Sequence, residues 1–382
     1  MKQYNWIVIG GGITGSALAY ELQKKGFSVL LLEKDLSPKN ATLYSYGGLA
    51  YWSGTTKLTR QLCQEGIDIH RHLSEELDGD TEFRELDLIL TINPEDDPQE
   101  VAAGYEQFAI APRLLDLKAA CELEPLLNPK AIAAVLQLPH GHIHPDKTNQ
   151  AYGQAYQRLG GEMKIESVVQ LLQEGEKFVG VKTPHHSYYA DNTVCCAGGL
   201  SRSLLQKAGI TVKIYFTHAQ LIKIPPTEVK LKAIVMPAQL QRLSLEAAAT
   251  QMEQLWEQPS QELVARVMEA GAVQFKDGSL CLGQSSQIIT APEAEINLAA
   301  SEAEIRTGVG KILPALATLP GNCHTCLVTF AHNSLPLVGA VGEGIYLFNG
   351  FTSTLVFAPP LARHFAHSAA QGEDEVMSQL TA

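Results

Sequence analysis

Residues 7–15 read IVIGGGITG, and residues 29–33 read VLLLE. An apolar run enters spaced glycines, a helix-like segment follows, and a second apolar run ends on an acid. Few folds satisfy that order. Tyr4–Ile9 is expected as a strand, Ile13–Lys25 as a helix stopped by Gly26, and Ser28–Leu32 as a second strand. The second run is almost wholly apolar, as a parallel strand covered on both faces must be. Gly10 then makes the tight turn, Gly12 lets the main chain approach a diphosphate, and Gly15 lets the helix close on the strand. The helix start, with Ile13 and Thr14, offers free N–H groups and partial positive charge to phosphate. Glu33, followed by Lys34, lies 18 residues past Gly15. There a carboxylate can accept hydrogen bonds from ribose hydroxyls and repel a 2′-phosphate, so NADP is disfavoured. The unit predicts a dinucleotide site without separating NAD from FAD.

The rest of the chain bounds the setting. Its 382 residues predict two domains, or one large domain carrying an inserted lobe. A formal net charge of −12 argues against a nucleic-acid partner, whose phosphates need a basic face. No apolar run reaches the roughly 18–20 residues of a membrane span. The first strand starts almost at once, which leaves no room for a signal peptide. The 7 cysteines lack framework spacing and predict reduced thiols and a cytoplasmic location. Cys323 and Cys326 have C-x-x-C spacing, but neither a thioredoxin-like setting nor a second ligand pair accompanies them. His140, His142 and His144 alternate, but their Gly and Pro neighbours predict a turn. No metal site is expected from either group.

Further along, Thr42–Gly54 (TLYSYGGLAYWSG) reads as a Gly/Ser/aromatic loop and Arg60–Leu77 as a helix. Leu86–Ile92 reads as a strand of another sheet. Helices are expected at Leu114–Leu126 and Asn149–Leu159, and strands at Glu162–Leu172, Lys177–Thr183, Thr193–Cys196, 211–224 and 278–290. Leu243–Ala270, rich in Gln, Glu and Ala, reads as a long helical stretch, in a solvated lobe or a partner-facing hairpin. Strands at Leu335–Val341 and Ile345–Asn349 and a helix at Pro359–Ala370 close an α/β pattern. The acidic tail after Gly372 is expected to fray.

The order of segments resembles the D-amino-acid oxidase superfamily of flavoenzymes, which includes glycine oxidase and sarcosine oxidase. The resemblance is carried by the glycine loop, LPHGHIHPDKTNQAYGQA (138–155), VVQLLQEGEKFVGVKT (168–183), TVCCAGGLSRSLL (193–205) and LPLVGAVGEGIYLFNGF (335–351). It implies an α/β fold: a discontinuous Rossmann-like FAD-binding domain (1–80, 141–210, 326–382) with an inserted mixed β-sheet substrate domain (81–140, 211–325). It also implies FAD as the cofactor. Further contacts would come from Ser45, Gly47 and Gly48, from Val168 against the adenine, from Ala197 and Gly198, and from Gly350, Phe351, Thr352 and Ser353 over the flavin.

SGTTKLTRQLCQEG (53–66) is most similar to the sarcosine oxidase branch. By that resemblance Arg60 would meet a substrate carboxylate and Lys57 would place positive charge near the flavin. Tyr44, Tyr46, Tyr51 and Trp52 would line the site. Cys326 with Thr329 resembles the position where such relatives bond the flavin covalently. Departures are equally specific. Val328 stands where glycine oxidases carry a substrate-binding arginine, Cys281 where sarcosine oxidases carry the lysine that promotes reaction with oxygen, and Phe357 near another carboxylate-binding lysine. The implied activity is oxidation of the C–N bond of a small amine or amino acid, with oxygen or another electron acceptor. The few cations leave open a less anionic substrate, a different acceptor or a degenerate site. The alternatives are a 2-hydroxy-acid dehydrogenase and a non-catalytic flavin- or partner-binding protein.

Overall fold

The computed structural model describes residues 3–380 apart from positions 240, 259 and 334. Among these residues the strands form two sheets, of eight and nine strands. The first sheet grows from the opening unit. Gln3–Ile9 pairs in parallel with Val29–Glu33 on one side and Ser187–Cys195 on the other. Glu162–Ile165 and Ile345–Asn349 extend it in parallel, and Leu337–Gly342 closes one edge antiparallel. Every residue of Val29–Glu33 is buried, as a central parallel strand requires. Helices Ile13–Lys24, Pro145–Arg158 and Thr354–Gln371 supply the apolar cluster on one face, where Leu18, Leu22, Tyr156 and Leu361 are fully enclosed. Leu204, Leu205, Phe178 and Val181 cover the other face.

The second sheet runs Asn322–Ala331, Ile214–Ile224, Leu280–Ile289, Glu262–Gln274, Ile234–Pro237, Arg84–Ile92, Ala134–His142, Gly48–Leu49. It pairs mostly antiparallel, with a parallel contact between Ile234–Pro237 and Arg84–Ile92. Asn322–Ala331 spans the boundary expected near 325 and lies wholly in this sheet.

Several expectations change here. Residues 134–142 form a strand, not a turn. Pro139 falls between the short pairings made by Arg113–Leu115 and by Gly48–Leu49, where its missing N–H costs nothing on that side. The expected long helix at 243–270 is two helices, Gln241–Thr250 and Glu253–Trp256, followed by the strand Glu262–Gln274. The β-branched Val264, Val267 and Val273 suit that strand. The stretch is no solvated lobe: Leu245, Ala249 and Trp256 are buried against Tyr215, Phe216 and Phe330. Arg202 fastens it, donating to Glu253 at 2.7 Å and to Glu257 at 2.6 Å. The last helix starts at Thr354, earlier than expected, and includes Pro359 and Pro360. The tail is held rather than frayed, since Asp374 accepts from His364 and both Val376 and Leu380 are buried.

Candidate functional site

The C-terminal ends of the parallel strands open into a cavity of about 1080 Å³ that continues beneath the second sheet. That is just above the roughly 300–1,000 Å³ usual for small-molecule sites, which suits an extended dinucleotide. The glycine loop forms one wall. Gly10 has φ of +105°, open to glycine at little cost, and its N–H donates to the Leu32 carbonyl at 2.8 Å. A Cβ on Gly15 would stand 1.9 Å from the Gly10 carbonyl oxygen, so helix and strand touch here through bare backbone. Gly10, Gly12, Ile13 and Thr14 line the cavity, while Gly15 lies behind them as the packing contact.

Glu33 lines the same space and is buried. Its Oε2 accepts from the Gly11 N–H at 2.7 Å and its Oε1 from the Asp35 N–H at 3.1 Å. A carboxylate has about four acceptor positions, so both oxygens are oriented and each keeps capacity for a hydroxyl. Lys34, Ser45, Gly48, Val168, Ala197, Gly198, Phe351, Thr352 and Ser353 also line the cavity. Gly47 and Gly350 lie outside the lining and shape the turns beside it, at φ of +75° and +77°.

Beneath the second sheet the character changes. Tyr44, Trp52 and Tyr46 line this part, and Tyr51 does not. The Trp52 indole donates to His140 Nδ1 at 3.0 Å, and burial holds His140 down to about 3, so the ring is neutral. His142 Nε2 lies 3.0 Å from the Tyr46 carbonyl, and His144 accepts from the Lys147 N–H at its helix start. The alternating histidines are thus engaged in local structure, and no metal-binding cluster occurs among the described residues. The Tyr46 hydroxyl is buried without a hydrogen-bond partner, and burial pushes its pKa well above the usual phenol range. Tyr46 lines the cavity, and a buried donor left without a partner beside it is a place where a ligand atom can bind.

Lys57 and Arg60 are not in the cavity. The helix Lys57–Glu76 buries Leu58, Thr59, Leu62 and Cys63, which turns positions 57 and 60 to solvent. Arg60 instead donates to the Gln107 carbonyl at 2.9 Å. At the end beneath the second sheet the cavity is lined by Arg242, from the inserted helix Gln241–Thr250, whereas Lys34, Lys39 and Lys207 line it elsewhere. Its Nη1 lies 3.6 Å from Glu246, whose charge raises the Arg242 pKa. Glu246 accepts from the Thr217 hydroxyl at 2.9 Å, and burial raises its own pKa. Glu269, on the strand Glu262–Gln274, also lines the cavity and accepts from the Arg242 N–H at 3.1 Å. Sequence reasoning missed both. The available signal was the i,i+4 pair Arg242/Glu246 beside the apolar Leu245 and Ala249, a charged pair on a burying helix face.

Cys326 lines the cavity, and burial pushes its thiol up to about 12. Cys323 lies three positions away on the same strand, so the two thiols face opposite sides of the sheet. They join different apolar clusters and form no redox pair. Val328 lines the cavity without charge.

Residues 5–368 match the family described as FAD dependent oxidoreductase, DAO. The 4-methylaminobutanoate oxidase (formaldehyde-forming) of Paenarthrobacter nicotinovorans is 28% identical over 55% of this chain and 26% of its own. Human mitochondrial dimethylglycine dehydrogenase is 29% identical over 53% of this chain and 24% of its own. The match thus spans about a quarter of those relatives' length. Among solved structures, glycine oxidase from Geobacillus kaustophilus superposes with a TM-score of 0.80, at 16% identity, over 98% of this chain and 96% of its own. The mixed α/β fold is the one found in that structure. The glycine loop, the buried terminal acid and the match over nearly the whole chain together make this protein a member of the DAO family of FAD-dependent oxidoreductases.

Proposed function

We propose that the chain oxidises the C–N bond of a small amine or amino acid, with the substrate carboxylate held by Arg242 and Tyr46. One observation carries this reading: a single cavity joins the glycine loop and Glu33 to Arg242 and the unpartnered Tyr46 hydroxyl. The residues fit FAD. The head of the helix Ile13–Lys24, with Gly12 and Thr14, would hold the diphosphate. Glu33 would hold the ribose, and the Val168 segment would lie against the adenine. Ala197, Gly198 and Phe351–Ser353 would border the ring system. Bound there, FAD supplies the acceptor for a hydride equivalent leaving the carbon next to nitrogen.

The protein's own part is orientation. Arg242 offers a planar fork that fixes a carboxylate in two directions. Tyr46, kept protonated by burial, adds a donor. His140, kept neutral, leaves Arg242 as the local positive charge. Holding the reacting carbon in place is worth more here than a strong base. The matched relatives named for 4-methylaminobutanoate, dimethylglycine and glycine act on compounds with both a carboxylate and an amine, which supports the class. Oxygen or another acceptor completes the cycle.

The test is anaerobic mixing of the yellow protein with a panel of amines, amino acids and 2-hydroxy acids. Bleaching near 450 nm by amino acids is expected. Bleaching by hydroxy acids alone would establish the dehydrogenase alternative, and no bleaching would favour a non-catalytic role.

The reading extends to Cys326 as a covalent tether. Its thiol faces the cavity, and the Arg242 charge draws its pKa back down against burial. Acid-precipitated protein is expected to keep its yellow colour in the pellet, and Cys326→Ser to lose it. A colourless wild-type pellet would remove the tether and leave FAD binding intact.

A further inference from the structure

At the Arg242 end of the cavity the arginine accounts for a substrate carboxylate but leaves the neighbouring Glu269 carboxylate without a cation of its own. Glu269 is a buried carboxylate on the cavity wall. One oxygen accepts from the Arg242 backbone N–H at 3.1 Å, and among the described residues no other hydrogen bond reaches the carboxylate. The Arg242 guanidinium does not neutralise it alone, because that cation is shared with Glu246 at 3.6 Å. Around Arg242 stand the two carboxylates of Glu246 and Glu269, with His140 neutral.

The reacting nitrogen cannot supply the missing positive charge. Loss of a hydride from the neighbouring carbon needs the nitrogen lone pair, so that nitrogen is neutral in the productive complex. A simple amino acid in its reactive form is then a monoanion. It satisfies Arg242 and leaves Glu269 buried with a single backbone N–H as its hydrogen-bond partner, which is costly for a carboxylate.

We infer that the substrate carries a second, distal cation that pairs with Glu269: a basic amino acid, with an ammonium or guanidinium several bonds from the oxidised nitrogen. This rests on the reading of Arg242 as the carboxylate partner. The reaction itself is unchanged: the C–H bond next to the neutral nitrogen breaks, its electron pair leaves with the hydrogen to FAD, and the carbon–nitrogen bond becomes an iminium. The distal cation keeps its proton throughout.

The experiment compares ornithine with norvaline, which has the same carbon chain without the distal amine, in anaerobic flavin reduction by the holoenzyme. The wild type is expected to reduce at least tenfold faster per unit concentration with ornithine. In Glu269→Gln the ornithine-to-norvaline ratio is expected to fall at least tenfold, with flavin content checked by absorbance. Equal rates, or a preference for norvaline, would overturn the inference while leaving amino-acid oxidation standing. A wild-type preference that survives in Glu269→Gln would overturn it too. Bleaching by neither compound nor by any other amine would sink both readings. Should Glu269→Gln lose its flavin, the wild-type ratio alone decides.

Discussion

Gly15→Ala is expected to yield a protein that no longer retains flavin. The added methyl would sit 1.9 Å from the Gly10 carbonyl oxygen and 3.2 Å from the Cys196 side chain. The first obstacle is backbone, so no rotamer change relieves it. The helix Ile13–Lys24 must lift from the strand Gln3–Ile9, and its first-turn N–H groups leave the position where a diphosphate would meet them. Overpacking of this kind typically costs about 1–3 kcal/mol, and more where nothing can yield. At 1.4 kcal/mol per tenfold in affinity, even the lower figure weakens binding roughly fivefold and the upper more than a hundredfold. The flavin-to-protein ratio after gel filtration measures it. A variant that stays fully yellow, with unchanged melting temperature, would show that the loop is not a close-packed phosphate turn.

Removing the charge at Arg242 comes next in size. In Arg242→Met the affinity for a carboxylate substrate is expected to fall roughly tenfold to a hundredfold, because a hydrogen bond to a charged group contributes about 1.5–3 kcal/mol. The same change leaves Glu246, buried and bonded to Thr217, without its cation. Breaking a buried pair from one side costs about 3–5 kcal/mol, and the lower end applies because Arg242 is partly exposed. Arg242→Lys keeps the charge without the fork and should fall between. Stopped-flow flavin reduction over a substrate series separates the effects: the apparent dissociation constant rises steeply and the limiting rate changes less. Unchanged affinity in Arg242→Met would assign the arginine to structure alone.

What was legible in the sequence divides along the same line. The dinucleotide half follows from short-range rules. Gly10, Gly12, Gly15 and Glu33 lie within one βαβ unit, and backbone geometry fixes what each must do. The polar end is assembled from segments far apart in the chain. Tyr46 comes from the early loop, Arg242 from the insert, Glu269 from a middle strand and Cys326 from a late one. No local pattern announces such a meeting. Arg60 shows the opposite hazard, a resemblance followed past what the residues allow. Leu58, Leu62, Ile69 and Leu73 trace the buried stripe of that helix, and Lys57 and Arg60 fall off it. The insert was misread because Gln, Glu and Ala favour helices locally, while the pairing of 262–274 with Leu280–Ile289 is a tertiary gain that propensity does not register.

In the function proposed above, the head of the first helix and Glu33 together hold a flavin dinucleotide. The most direct measurement of that binding is FAD content. Protein purified, or stripped and then incubated with FAD, should bind about one equivalent and show flavin absorbance near 450 nm, whereas Glu33→Lys should not. Protein that emerges free of dinucleotide and stays colourless with FAD in excess would contradict the account at its root.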